Sequence, residues 1–415
     1  MSISRYKKKS ERNKGENQLK RKASIVLSGI LAASLLVTGC GNSSAPASSS
    51  NSSGSSSSSG DTIKIGVFEP MTGANAAGGA LEVEGVKLAN KLYPEVLGKK
   101  IELVVVDNKS DKVEAASAAS RLVEKEKVVA IIGSWGSSLS MAAGDIVKKA
   151  KVPVVAASAT NPLVTKDNDY YFRVCFIDPF QGKVMANYAF SKLNAKKVAI
   201  VQEVSNDYSI GLAKFFTDSF KQLTGDQNAI VAVSNYNTGD QDFTAQLTNI
   251  KGKNPDVIFA PGNFTESALL IKQARQLGIK APIIGGDTWE TPEFIDIGKT
   301  SVEGAVFSTF FTSEKPITKE SDKFLTEYRK EFKDKEPAAV TALGYDAYIL
   351  IRDAIEKVGS ADSVKVRDQL AKTKDFQGAA GVITLDADRN AVKNAVIKEV
   401  KNGKFTFLDI VDAAK

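Results

Sequence analysis

From residue 62 onward the chain alternates short aliphatic and β-branched runs with longer stretches at helical spacing, and it does so in two series. That rhythm constrains the fold more than any other feature. Ile63–Phe68, Ile101–Val106, Val128–Ile132 and Val152–Ala156 read as strands, bounded by Pro, Gly or polar turn residues. Leu81, Val83, Val86, Leu88 and Leu92 recur at mostly helical spacing between the first two, and Val113–Glu126 and Leu139–Ala150 supply further helices. After the strand Tyr171–Val174 the series restarts with a helix at Phe180–Leu193. Strands at Lys197–Val201, Ile230–Asn235, Val257–Ala260 and Pro282–Ile284 then alternate with helices at Ile210–Leu223, Phe243–Lys251 and Ser267–Leu277. Strands separated by helices predict parallel sheets covered on both faces. Two series predict an α/β fold of two similar Rossmann-like lobes.

The last hundred residues break the rhythm. A strand at Val306–Phe311 precedes helices near Lys319–Phe332, Ala338–Val358 and Val364–Thr373, then strands at Val382–Leu385, Ala395–Val400 and Phe405–Leu408. Lys401-Asn402-Gly403-Lys404 predicts a hairpin turn. Helices returning to one lobe and strands to the other require several crossings. The expected division is 61–179 plus 311–377 for the first lobe and 180–310 plus 378–415 for the second.

The net charge of +7 suggests a partner rich in phosphate only until its location is counted. Residues 1–39 hold nine Lys/Arg and two acids, which is the whole excess; the rest of the chain has 46 bases and 46 acids. No nucleic-acid partner is expected. The basic start ends in Lys20-Arg21-Lys22 and leads into an uncharged apolar run, 23–37, shorter than the roughly 20 residues that cross a bilayer. Residues 1–39 therefore read as a signal peptide, with an uncleaved membrane anchor as the alternative. Val37-Thr38-Gly39-Cys40 resembles the lipobox of bacterial lipoproteins, which implies lipidation at Cys40 and retention on the outer face of the cell membrane. Twelve serines within 43–60 make 40–60 a flexible tether.

The chain contains no histidine. Ser-His-Asp and Cys-His catalysis and His-ligated zinc are excluded. With two cysteines, Cys40 and Cys175, neither a disulfide framework nor a cysteine metal cluster can form. If Cys40 carries lipid, Cys175 reads as a small buried apolar residue. No enzyme, metal or cofactor is expected.

Ligands of open parallel sheets bind at the carboxyl ends of strands, and four such loops stand out. The loop 70–79 is glycine-rich but lacks G-x-G-x-x-G. Gly133-Ser134-Trp135-Gly136-Ser137-Ser138 opens a helix, whose free N–H groups suit an anion; a plain helix cap by Ser137 or Ser138 is the competing reading. Ser158-Ala159-Thr160-Asn161-Pro162 offers hydroxyls and a carbonyl, or is an ordinary turn. Gly285-Gly286-Asp287-Thr288-Trp289-Glu290 offers an acid for a cation, or a solvated turn aspartate. Together, an anion cradle, hydroxyls and one acid describe a site for a zwitterion such as an α-amino acid.

These segments, with Ile65-Gly66-Val67-Phe68-Glu69-Pro70-Met71-Thr72-Gly73, 172–182, Asn254-Pro255-Asp256-Val257-Ile258-Phe259 and Leu343-Gly344-Tyr345-Asp346-Ala347, resemble the branched-chain amino-acid binding proteins of ABC uptake systems, of the type I periplasmic-binding-protein family. The resemblance spans almost the whole globular part. It implies two lobes joined by a three-crossing hinge that close on the ligand, then dock on a membrane permease served by an ATPase. It assigns the ligand carboxylate to Ser137 and neighbouring N–H groups, the amino and carboxylate groups to the loop of Ser158, Ala159 and Thr160, the ammonium to Asp287, and a ligand contact to Tyr208. Many relatives carry a longer acid at the Asp287 position, Asn263-Phe264 stands where tyrosines often occur, and Trp135 follows the cradle's first serine. Trp135 and Phe264 are accordingly counted among the ligand-binding candidates. A monomer binding a small neutral amino acid is expected; a ligand-sensing receptor for another small zwitterion or amide is the alternative.

Overall fold

The computed structural model describes residues 62–333 and 335–413; residues 1–61, with Cys40 and the serine-rich stretch, lie outside them. The first sheet contains β1 (Thr62–Glu69), β2 (Glu95–Val96), β3 (Lys99–Asp107), β4 (Ala130–Ile132), β5 (Val154–Ala156) and β6 (Tyr171–Arg173), in the order β2-β3-β1-β4-β5-β6. All its pairings are parallel except β2 with β3. The second sheet begins with β7 (Val198–Glu203), β8 (Ile230–Tyr236), β9 (Val257–Phe259), β10 (Ile283–Gly285) and β11 (Val306–Thr309), again parallel. A small antiparallel group follows, β12 (Phe376–Gly378), β13 (Gly381–Leu385) and β14 (Ala391–Val392). β15 (Ala395–Lys401) and β16 (Lys404–Val411) then complete the second sheet as an antiparallel edge, β16-β15-β11-β10-β9-β7-β8. Their hairpin turns at Asn402 and Gly403, both at positive φ, as the sequence predicts.

Helices α1 (Ala76–Leu92), α2 (Lys112–Ser120) and α3 (Ser137–Ala150) belong to the first series. The second has α4 (Asp178–Asn187), α5 (Asp207–Thr224), α6 (Thr244–Lys253), α7 (Phe264–Gln276) and α8 (Pro292–Gly298). α9 (Lys319–Glu331), α10 (Ala339–Val358) and α11 (Ser363–Leu370) come last. Along β1, Ile63, Ile65 and Val67 pack into a core with α1 and α10, while Phe68 faces the layer built by α2 and α3. This alternation puts helices on both faces of the sheet. α1 and α10 cross closely enough that a Cβ on Gly85 would stand 1.9 Å from Thr341 O, and one on Gly344 2.2 Å from Glu82 O. Glycine is required at that crossing by contact rather than by backbone angle.

The chain passes between the sheets three times: after β6, between β11 and α9, and between β14 and β15. Residues at the first two crossings meet, with the Phe176 and Phe310 rings 4.5 Å apart, and the larger apolar core runs through them from one lobe to the other. Cys175 is buried there, its Sγ 3.6 Å from Ala159 O. The third crossing comes later than the expected boundary at 378. Arg389 donates to Thr165 O (2.9 Å) and Tyr171 O (3.3 Å), and Arg173 N donates to Arg389 O, which holds the β13–β14 turn on the edge of the first sheet.

Candidate functional site

Because both sheets are parallel where they face each other, the carboxyl ends of their strands converge on one gap, and the site is built from the loops there. A narrow cavity of about 80 Å³ lies in it. Trp135, Ser137, Ser138, Leu139 and Ser158 line it from the first lobe; Tyr208, Asn263, Asp287 and Thr288 line it from the second.

The first-lobe wall starts at the end of β4. Gly136, at φ 92°, turns the chain into α3, so Ser137 and Ser138 occupy its first turn, where peptide N–H groups have no intrahelical acceptor. Ser137 is buried, and its Oγ accepts from Asn161 N at 3.1 Å. That bond joins the second loop to the third. Ser158 is buried and its hydroxyl donates to Glu82 Oε1. Ala159 and Thr160 are buried behind the cavity lining. The Ala159 carbonyl accepts from Arg173 Nη1 (2.5 Å), and the Thr160 hydroxyl has no partner in good hydrogen-bond geometry.

On the second lobe, Asn206 caps α5 by accepting from Tyr208 N at 3.1 Å, which aims the Tyr208 ring at the gap. Tyr208 Oη donates to Asp287 Oδ1 at 3.0 Å, and Gln181 Nε2 donates to the same oxygen at 2.7 Å. Asp287 is buried, and burial pushes its carboxyl up to about 6. Both of these bonds fall on Oδ1. Phe264, the first residue of α7, is buried and meets Trp135 edge to face across the gap, with centroids 6.1 Å apart. Trp289, the residue after the cavity wall's Thr288, instead belongs to the core, stacked on Phe294 at 4.9 Å.

The lobes also hold each other directly. Ser138 Oγ donates to Asp207 Oδ2 (2.7 Å), Lys112 Nζ reaches the same oxygen (3.1 Å), and Asn161 Nδ2 donates to Asp207 O (2.8 Å). Asn263 Nδ2 donates to Asn75 Oδ1 (3.0 Å). These contacts mark a closed arrangement. Sequence reading passed over Gln181, Asp207, Glu69 and Glu82. Gln181 lies inside the matching segment 172–182 and Asp207 adjoins Tyr208, but neither residue's partner is near it in sequence.

Two parallel-sheet lobes closed over a small polar cavity, with a helix start on one wall and a buried acid on the other, define a two-lobed solute-binding protein. A family model described as "Periplasmic binding protein" matches residues 62–404, and the chain belongs to that family. The family is one of binding proteins, not of enzymes. The chain is 32% identical to the Leu/Ile/Val-binding protein BraC3 of Rhizobium johnstonii over 78% of this chain and 87% of that one. Among solved structures, it is similar to the leucine binding protein LivK of Thermotoga maritima at 43% identity, TM-score 0.81, covering 84% of this chain and 99% of the other. It is also similar to the branched-chain amino acid transporter substrate binding protein LivJ of Streptococcus pneumoniae, solved with isoleucine, at 39% identity, TM-score 0.79 and the same coverage.

Proposed function

We propose that this chain is the extracytoplasmic binding component of an ABC uptake transporter and carries a branched-chain amino acid, leucine, isoleucine or valine. The observation that carries the reading is Asp287: a buried carboxylate on the cavity wall whose side-chain partners are neutral donors, opposite a helix start. A ligand ammonium supplies the missing cation, and its carboxylate fits the first turn of α3 with Ser137. The Ser158 hydroxyl, on the same cavity wall, offers a further oxygen. Trp135, Leu139 and Phe264 offer apolar surface for an aliphatic side chain.

Contacts from both lobes exist only when the clamp is shut, so ligand binding shifts the population toward the closed form, which then docks on the permease. Cleavage before Cys40 and lipidation of its thiol would place a charge-balanced monomer on the outer membrane face. Among the described residues no helix is long and apolar enough to cross a membrane.

A thermal-shift panel of amino acids and amides tests the ligand. A branched-chain amino acid at about 100 times its Kd stabilises the folded protein by about 2.7 kcal/mol, whereas lysine and glutamate leave it unmoved. No shift with leucine, isoleucine or valine would overturn the assignment.

A further inference from the structure

Two glutamates lie behind the cavity wall without touching its interior. Glu69 ends β1, Glu82 lies on α1, and both are fully buried. Glu69 Oε2 accepts from the Trp135 peptide N–H at 2.6 Å and from Ser134 Oγ at 3.4 Å. Glu82 Oε1 accepts from the Ser158 hydroxyl. The other two oxygens, Glu69 Oε1 and Glu82 Oε2, have no donor, and the two buried carboxyls lie close enough to act on each other. Ionised carboxylates only accept, so two of them can bond only through a proton held by one.

We propose that Glu69 and Glu82 share one proton, and that this hydrogen-bonded pair positions the ligand site by holding the Trp135 peptide with one carboxyl and the Ser158 hydroxyl with the other. The inference rests on the amino-acid reading above. With its hydrogen committed to Glu82, Ser158 can only accept from a ligand, which suits an ammonium. With its N–H committed to Glu69, Trp135 leaves the ligand carboxylate to the first turn of α3.

The surroundings keep the pair from holding two charges. Asn108 at the end of β3 donates to Ser134 Oγ (2.8 Å), Tyr171 on β6 and Cys175 at the first crossing lie near, and Asp287 adds a negative charge from the second lobe. The groups acting most strongly on the pair are acids and neutral donors; the buried cations Arg173 and Lys393 act on its neighbours Tyr171 and Cys175. Burial raises Glu82 to about 7, and burial with repulsion raises Glu69 well above the usual carboxylate range. The folded state therefore holds protons that the unfolded chain has released. The pair's stabilising contribution is fully present below about pH 4.5 and declines as pH rises through about 7 and beyond. Loss of the shared proton leaves two adjacent buried anions and loosens Trp135 and Ser158, so ligand affinity falls in the same direction.

Calorimetric titration of leucine into wild type and Glu69→Gln at pH 6 and 8.5 tests this. The amide carries the shared hydrogen permanently: Nε2 donates to Glu82 while Oε1 accepts from Trp135. Wild type is expected to lose about tenfold in affinity across the range, as a one-unit difference between free and liganded pKa requires, and Glu69→Gln to show no such fall. An equal fall in both proteins overturns the proposal. Absence of leucine binding at both pH values would instead refute the ligand assignment. The pair is then read by carboxyl-¹³C NMR of the ligand-free wild type: two glutamate signals titrating together near or above neutrality support it, and titration of every glutamate near 4.5 overturns it.

Discussion

Asp287 and Glu290 stand three residues apart on the turn after β10, both buried, and they face opposite sides of the contact between the lobes. Glu290 is fully partnered: Lys398 Nζ reaches Oε1 at 2.6 Å, Thr309 Oγ1 donates to Oε2 at 2.6 Å, and Ala339 N, at the start of α10, donates to Oε1 at 3.3 Å. Lys398 and Thr309 belong to the second sheet and α10 packs on the first lobe, so this acid ties the lobes on the hinge side. The side chains that donate to Asp287 are those of Gln181 and Tyr208, both neutral, and among the described residues no salt bridge reaches it. One turn thus carries an acid paired with a cation within the protein and an acid that, on the reading proposed above, takes its counter-charge from a ligand.

That division is sharpest in what each acid costs when removed. Glu290→Ala leaves the Lys398 ammonium buried without its partner, and the folding free energy should fall by about 3–5 kcal/mol, read from chemical denaturation. Asp287→Ala should instead cost about 2–5 kcal/mol of leucine affinity, measured by calorimetry, because the ammonium loses its carboxylate in a desolvated site. Asp287→Asn should melt no lower than wild type at pH 7, since it removes a buried charge and keeps an acceptor for Gln181 and Tyr208. A large loss of stability in the Asp287 variants, or of affinity alone in Glu290→Ala, would dissolve the distinction.

Titration separates the two acids further. Burial raises Asp287 to about 6 in the free protein, and a bound ammonium draws it back toward the ordinary aspartate range. Binding then releases a proton near pH 6, and affinity rises as pH increases from about 4.5 to 7. The glutamate pair acts with the opposite sign at higher pH. The affinity profile should therefore rise and then fall, with its acid limb lost in Asp287→Asn; calorimetry in buffers of different ionisation enthalpy reads the released proton directly. A flat acid limb in wild type would remove Asp287 as the ammonium partner.

The parallel sheets, the hairpin at Lys401–Lys404 and the strand-end loops are local patterns, and periodicity with turn chemistry was enough to read them. What escaped depends on distance. Leu81-Glu82-Val83-Glu84 looks like a solvated helix edge. In the fold Glu84 stays near the surface with Lys335, while Glu82 is drawn inside by the close α1–α10 crossing at Gly85 and Gly344. Val382–Leu385 read as a strand of the second lobe, and its true neighbours are set by Arg389 bonding to backbone more than 200 residues earlier. Trp289 looked like part of a ligand loop and is core, a choice made by Phe294 and Phe307 rather than by its own sequence. The four loops could be found from sequence because glycine and proline mark them; Gln181 and Asp207 could not, because a helical glutamine and a capping-turn aspartate are ordinary until partners distant in sequence, Asp287 for one and Ser138 for the other, meet them.

The smallest expected effect concerns how the clamp stays shut. Asp207 takes the Ser138 hydroxyl and Lys112 from the first lobe, contacts that exist only between closed lobes, and it touches neither Asp287 nor the turn of Glu290. Half-exposed and reached by a solvated lysine, it should contribute no more than about 1 kcal/mol. Burial works to raise its carboxyl, but Ser138 and Lys112 prevail and hold it below the usual aspartate value; the contact is present above that range and weakens on acidification. Asp207→Ala should lower leucine affinity only severalfold, mostly through faster release, and leave the unfolding of the free protein nearly unchanged. Stopped-flow dissociation measures it: a slower association with unaltered release would mean that Asp207 guides entry rather than latching the closed form.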